Sequence, residues 1–148
     1  MQEPSEGVIL FNEIDIIEKP MTIRQSLGYL PQQFNVYPKI SAEKLLDYIA
    51  VLKGVTDNKK RKQQVTALLQ QTNLYQHRKK SVSTYSGGMK QRFGIAQALL
   101  ANPQVIIVDE PTAGLDPEAA RTVRELIESL RTKERTIFLC THNLDEAD

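Results

Sequence analysis

Val105-Ile106-Ile107-Val108-Asp109-Glu110-Pro111 decides the fold, and Thr112-Ala113-Gly114-Leu115-Asp116 follows it directly. Four consecutive β-branched aliphatics with no polar alternation predict a strand buried on both faces, as in a parallel sheet. That apolar run ends in two adjacent carboxylates. In open α/β sheets, ligands sit in the crevice beyond the carboxyl ends of the strands. Two acids placed there can hold a hydrated Mg2+ and polarise a water. The competing reading is a helix cap, because acidic residues often begin the helix that follows a strand.

Downstream, Asp116 predicts a cap for a helix that Pro117 begins, since proline suits the first helical position. Ala119, Val123, Leu126, Ile127 and Leu130 form its apolar stripe. Thr136 to Cys140 reads as the next buried strand, which completes a strand–helix–strand unit. Thr141-His142 comes next, and the competing reading of His142 is a capping or core histidine.

Upstream, Val8 to Phe11 predicts a short strand, and Asn12-Glu13 a turn into Ile14 to Ile17. Pro4 to Gly7 reads as a turn, and Lys19 to Ser26 as a short helix or loop. Leu27-Gly28-Tyr29-Leu30 is another buried strand, stopped by Pro31. Gln32 follows immediately, either an ordinary loop glutamine or a further polar group at a strand's carboxyl end. Asn35 to Ile40 is an irregular connector. A helix capped by Ser41 has Leu45, Tyr48, Ile49 and Leu52 on one face and Gly54 at its C-terminus. Asp57 caps another helix with Val65, Leu68 and Leu69 inward. Lys59 to Lys62, and His77 to Lys80, read as solvated basic faces, because no aromatics interleave them as in a nucleic-acid site.

Thr84-Tyr85-Ser86-Gly87-Gly88-Met89-Lys90-Gln91-Arg92 opens a helix whose inward positions are Met89, Phe93, Ala96 and Leu100, and Asn102-Pro103 ends it. A hydroxyl and bare backbone at a helix N-terminus make a good anion site, because unpaired N–H groups and the dipole favour phosphate. A plain serine cap with glycines for a tight turn is the competing reading.

The chain has 148 residues, enough to bury one domain's core, and its net charge of +1 gives no global pull toward nucleic acid or an anionic membrane. Cys140 is the only cysteine, which excludes an intrachain disulfide or a multi-cysteine metal site. No signal-peptide pattern and no apolar stretch of spanning length occur, so any membrane process is expected to rely on another polypeptide to cross the bilayer. Gln32, the pair Asp109 and Glu110, and His142 each follow a strand, so all can converge on one sheet edge. With a phosphate seat at Ser86-Gly87-Gly88, this is equipment for phosphoryl transfer to water.

Together these residues resemble the nucleotide-binding domain of ABC-type ATPases, the engines of ABC transporters, from Pro4 to Asp148. Tyr29-Leu30-Pro31-Gln32 is similar to the Q-loop, and Tyr85 to Met89 to the signature motif. Val105 to Glu110 resembles Walker B, Ala113 to Asp116 the D-loop, and Thr141-His142 the H-loop. The resemblance implies an α/β fold: an incomplete P-loop NTPase-like parallel sheet flanked by helices. It also implies an inserted α-helical subdomain at about 36–88, with 1–35 and 89–148 as core. Asp109 would orient Mg2+ through water, and Glu110 would polarise the attacking water as catalytic base. Gln32 would contact Mg2+ and that water, and His142 the γ-phosphate. Ser86, Gly87 and Gly88 would bind the γ-phosphate of ATP held by an opposing subunit, and Asp116 would link the two sites. The implied partners are a second nucleotide-binding domain and a transmembrane permease, without nucleic acid. The implied location is cytoplasmic, at the inner face of the cell membrane.

Tyr85 stands where the family usually has Leu, and Met89 where Gln is frequent; neither change removes the phosphate-binding backbone. The larger departure is the phosphate loop. None of the 7 glycines starts the run Gly-x-x-x-x-Gly-Lys followed by Ser or Thr. The resemblance places that loop, the first core strand and the central helix ahead of Pro4. The expectation is therefore uncovered apolar surface, weak cis affinity for ATP and negligible hydrolysis by these residues alone. The alternative is a catalytically inactive fragment acting as a dimerisation or regulatory module. DNA-repair and chromosome ATPases share the signature but insert long coiled coils, whereas 53 residues separate Gln32 from Ser86 here. That favours a transporter-type helical subdomain. Gly88 to Arg92 resembles subfamilies that export drugs, antibiotics or cell-surface polymers through separate permeases.

Overall fold

The computed structural model describes residues 7–32 and 39–142. The expected turn at Pro4 to Glu6 and the connector from Asn35 to Pro38 lie outside the described residues. Strands β1 (Leu10–Phe11) and β2 (Ile14–Asp15) pair antiparallel. Asn12 and Glu13 join them with φ of 49° and 64°, the left-handed pair that a two-residue hairpin turn with the strands' own twist demands. Helix α1 (Pro20–Ser26) starts on proline and runs straight into β3 (Leu27–Leu30).

After the connector come α2 (Ala42–Leu52) and α3 (Asn58–Gln71), packed as a hairpin. Gly54, at φ 88°, closes α2. Its N–H donates to Val51 and that of Val55 to Ala50, the doubled bond that a left-handed glycine permits. Asp57 caps α3 by accepting from the Lys60 N–H at 2.7 Å. Two short 3-10 turns, Tyr75–His77 and Val82–Thr84, lead to α4 (Gly87–Ala98). Strand β4 (Val105–Asp109), helix α5 (Pro117–Ser129) and strand β5 (Thr136–Cys140) are the last elements among the described residues. Strands β3, β4 and β5 form one parallel sheet in that order, with the Asp-ending strand in the centre.

Burial corrects several expectations. None of the three strands is covered on both faces. Ile106 and Val108 are each 2% exposed, while Val105 and Ile107, which alternate with them, are only half-buried. Side chains of a strand alternate between faces, and α4 and α5 both pack on the same one. There Leu30, Ile106, Val108 and Ile137 meet Ile95, Ala98 and Leu99 of α4 and Ile127 and Leu130 of α5. On the other face Tyr29, Ile107 and Phe138 stand in one register row. Tyr29 is 49% and Phe138 55% exposed, the uncovered apolar surface that was expected.

Helix α2 turns a different face inward. Ala42, Leu45, Leu46 and Ala50 are buried, with Ile49 beside them, whereas Tyr48 is exposed and Leu52 is 85% exposed. Small Ala42 and Ala50 let α2 approach its neighbours, and the larger apolar residues do not mark the contact face. Ser41 precedes α2 but makes no side-chain cap; its backbone bridges to Ser81 instead. The basic runs are also not uniformly solvated. Arg61 pairs with Asp47 at 2.7 Å and donates to the carbonyls of Val55 and Thr56, closing the α2–α3 hairpin. Arg78 lies over the Tyr75 ring at 4.0 Å, and the His77 Nδ1 is buried without a hydrogen-bond partner among the described residues. Helix α4 is enclosed on most sides, with Phe93 and Ala96 fully buried and Met89 half-buried, and Leu100 just past its end is fully buried too.

Candidate functional site

Parallel pairing puts the carboxyl ends of all three strands on one edge. Leu30 pairs with Val108, Val108 with Leu139, and Asp109 with Cys140. Beyond Asp109 the backbone turns left-handed at Glu110, with φ 47°. This non-glycine residue is held there from both sides of its peptide. Its N–H donates to the Cys140 carbonyl at 2.8 Å, and its own carbonyl accepts from Ala113 at 3.2 Å. The turn drives the Glu110 side chain across toward the end of β5. Its carboxylate is 16% exposed, accepts the His142 backbone N–H at 2.8 Å, and lies 3.6 Å from His142 Nε2. The imidazole itself is 98% exposed. Glu110 and His142 are thus brought together, although they stand 32 positions apart in sequence.

The helix-cap reading of the two acids fails on this geometry. Helix α5 begins at Pro117, and its cap is Asp116, which accepts from the Ala119 N–H at 3.0 Å. Asp109 is half-buried at the sheet edge, and among the described residues no hydrogen bond or ion pair holds its carboxylate. Gln32 is exposed and stands two residues past Leu30, on the β3 side of the same edge. No hydrogen bond among the described residues joins it to Asp109 or Glu110.

Ser86 caps α4 by accepting from the Met89 N–H at 3.3 Å. The first-turn amides of Gly87 and Gly88 lack intrahelical acceptors, as at any helix start. Both glycines also have a packing reason. A Cβ on Gly88 would lie 2.9 Å from the Ala119 Cβ, and one on Gly87 would lie 3.1 Å from Leu115 Cδ2. The serine–glycine seat is therefore pressed against the segment that carries Asp116. The turn at 111–114 links that segment to Glu110.

Two residues support the seat that sequence reasoning had not assigned. Tyr85, immediately before Ser86, is buried; its hydroxyl donates to the His77 carbonyl at 2.9 Å, and its ring meets Phe93 edge-on. Burial pushes its phenol up, against the opposing effect of the Arg92 guanidinium. Arg92 donates to the carbonyls of Thr72 and Asn73 at 3.3 Å each, tying α4 to the end of α3. The one available signal was a polar aromatic at a position where the resembled motif has leucine.

Comparison with known proteins identifies the family and the fold. The family model described as ABC transporter matches residues 1–113. The doxorubicin resistance ATP-binding protein DrrA of Mycobacterium tuberculosis is 34% identical over 148 residues, all of this chain and 44% of that protein. The ABC transporter ATP-binding protein NatA of Bacillus subtilis is 31% identical over 145 residues, 97% of this chain and 58% of that one. The chain thus spans about half the length of these curated relatives. Among solved structures, a dimeric ATP-binding cassette in a post-hydrolysis state with ADP and Pi superimposes with a TM-score of 0.82. It is 26% identical, covering 99% of this chain and 67% of that one.

Proposed function

The chain belongs to the ABC transporter family, and from that premise we propose that it is an ATP-hydrolysing element energising transport through a separate permease. The observation that carries this is the placement of Glu110 and His142 at the sheet's carboxyl edge, beside Asp109 and next to the segment touching Ser86-Gly87-Gly88. In this reading Glu110 is the base. Its carboxylate is fixed by the His142 N–H, so it can receive a proton from a water attacking the γ-phosphate of ATP. His142, with its exposed ring, contacts that phosphate, and Gln32 borders the water. Ser86, Gly87 and Gly88 supply N–H and hydroxyl contacts to ATP held by a second nucleotide-binding domain, and Asp116 joins the two sites. The ADP- and Pi-bound dimer among the similar structures supports the nucleotide class and the two-domain arrangement.

Asp109 fits a hydrated Mg2+, being half-buried with no counter-charge among the described residues. Among those residues no group of three His, Cys, Asp or Glu is placed to ligate a metal directly, which suits contact through water. Bound there, the ion would supply charge neutralisation at the phosphates. Residues at about 36–88 act as the helical subdomain, the rest as core. No helix among the described residues is long and apolar enough to cross a membrane; in this reading the element works at the cytoplasmic face and a separate permease does the spanning.

A second reading rests on the lack of a Gly-x-x-x-x-Gly-Lys run in the 148 residues: a fragment with trans contacts only, acting in dimerisation or regulation. Two measurements separate the readings. Purified chain with Mg-ATP is expected to show background turnover, and clear turnover lost in Glu110→Gln overturns that expectation. Fusing ahead of Met1 the NatA segment that precedes the matched region is expected to give turnover, which Glu110→Gln lowers by about 100-fold or more. A fusion that binds ATP but shows no Glu110-dependent hydrolysis overturns the ATPase reading.

A further inference from the structure

We propose that Tyr85 is a positioning residue for the phosphate seat, its hydroxyl fixing where Ser86, Gly87 and Gly88 present their donors. This rests on the reading of that seat as a phosphate site. The seat needs such a device because it is exposed: Ser86 and Gly87 face solvent, and the cap bond from Met89 is long at 3.3 Å. Glycines add no side-chain anchor of their own. The residue that enters the seat is instead pinned at both ends. The Tyr85 N–H donates to the Val82 carbonyl at 3.1 Å, and its hydroxyl donates to that of His77 at 2.9 Å. The acceptor is itself fixed, since the His77 carbonyl also takes the Lys80 N–H at 2.9 Å. The surrounding strip is anchored to α2, with the N–H groups of Ala42 and Glu43 donating to Lys80 and Arg78. One hydroxyl therefore references the seat to the helical hairpin, while Gly88 references it to Ala119 of α5 and Gly87 to Leu115 just ahead of that helix.

Removing only that hydroxyl separates positioning from packing. In Tyr85→Phe the ring still meets Phe93 and the His77 carbonyl keeps its bond from Lys80, so no buried polar atom is orphaned. The experiment titrates inorganic phosphate into 15N-labelled chain and follows the amides of Ser86 to Met89. Tyr85→Phe, Tyr85→Leu and the exposed control Tyr48→Phe are run in parallel, each with a melting curve. The expected result is saturable shifts in the parent and control, and about five-fold weaker binding in Tyr85→Phe, the size of one lost hydrogen bond. Its melting temperature falls by no more than the few degrees that one lost hydrogen bond costs, whereas Tyr85→Leu falls further. Undiminished phosphate affinity in Tyr85→Phe overturns the positioning role while leaving the seat intact. No shift at these amides in the parent overturns the seat itself, and the positioning role with it.

Discussion

The two faces of the central sheet carry similar side chains and meet different fates. Ile106 and Val108 are sealed under α4 and α5, while their strand neighbours Val105 and Ile107 share a face with exposed Tyr29 and Phe138. An uninterrupted apolar run states that a strand suits burial on both sides; it does not state that both covers are present. Burial is a property of what packs on a residue, and within one strand it changes at every step.

That contrast can be broken by truncation. Ile106→Ala on the sealed face is expected to lose about 2–5 kcal/mol in urea unfolding, the usual range for deleting a fully packed aliphatic. If Phe138→Ala costs as much, the open face is not open in solution. Gly28 sharpens the contrast, because the packing on the sealed side is closer than a methyl allows. A Cβ there would lie 2.3 Å from the Ala98 carbonyl oxygen. Gly28→Ala is expected to cost about 1–3 kcal/mol, the range for overpacking, again read by urea unfolding. On the open face, Tyr29→Ser with Phe138→Ser is expected to change stability by no more than about 0.5 kcal/mol and to reduce self-association in light scattering.

The smallest effect concerns Lys53, whose ammonium reaches the Ala98 carbonyl at 3.5 Å and which burial pushes below the usual lysine value. Between that lowered value and the ordinary one, the unfolded chain binds more protons than the folded chain. Stability is therefore gained as pH rises through this alkaline window. The difference between parent and Lys53→Met unfolding curves isolates the effect, and a flat difference across the window removes Lys53 as its source.

Much of the fold was legible because its signals are local. Asn12, Gly54, Asp57, Asp116 and Asn102-Pro103 punctuate the chain through backbone preferences that need no tertiary contact. The inward stripe of α5 follows from its 3.6-residue period. Helix α2 misled because Ala42 and Ala50 mark the close approach, while bulky Tyr48 and Leu52 stay outside. Arg61 misled because a basic run says nothing about which member finds Asp47. At the site, strand order in sequence was enough to gather Gln32, Asp109, Glu110 and His142 on one edge. The contact between Glu110 and the His142 backbone was not legible, because it depends on a left-handed turn of a glutamate, which no propensity favours. The hydroxyl of Tyr85 was hidden for the opposite reason. It looked like a tolerated departure, and its partner lies in an irregular strip whose path only the folded chain defines.

The left-handed backbone at Glu110 places two selective demands in opposition at a single codon. A glycine would occupy φ 47° without the steric penalty of about 1 kcal/mol that a side chain incurs there. It would also remove the carboxylate that holds His142. A screen for thermal robustness alone should therefore drift toward glycine at position 110, and a screen for ATP hydrolysis by the NatA fusion should drive it back. The frequency of Glu110 among survivors of the two screens would show which demand governs this corner of the sheet.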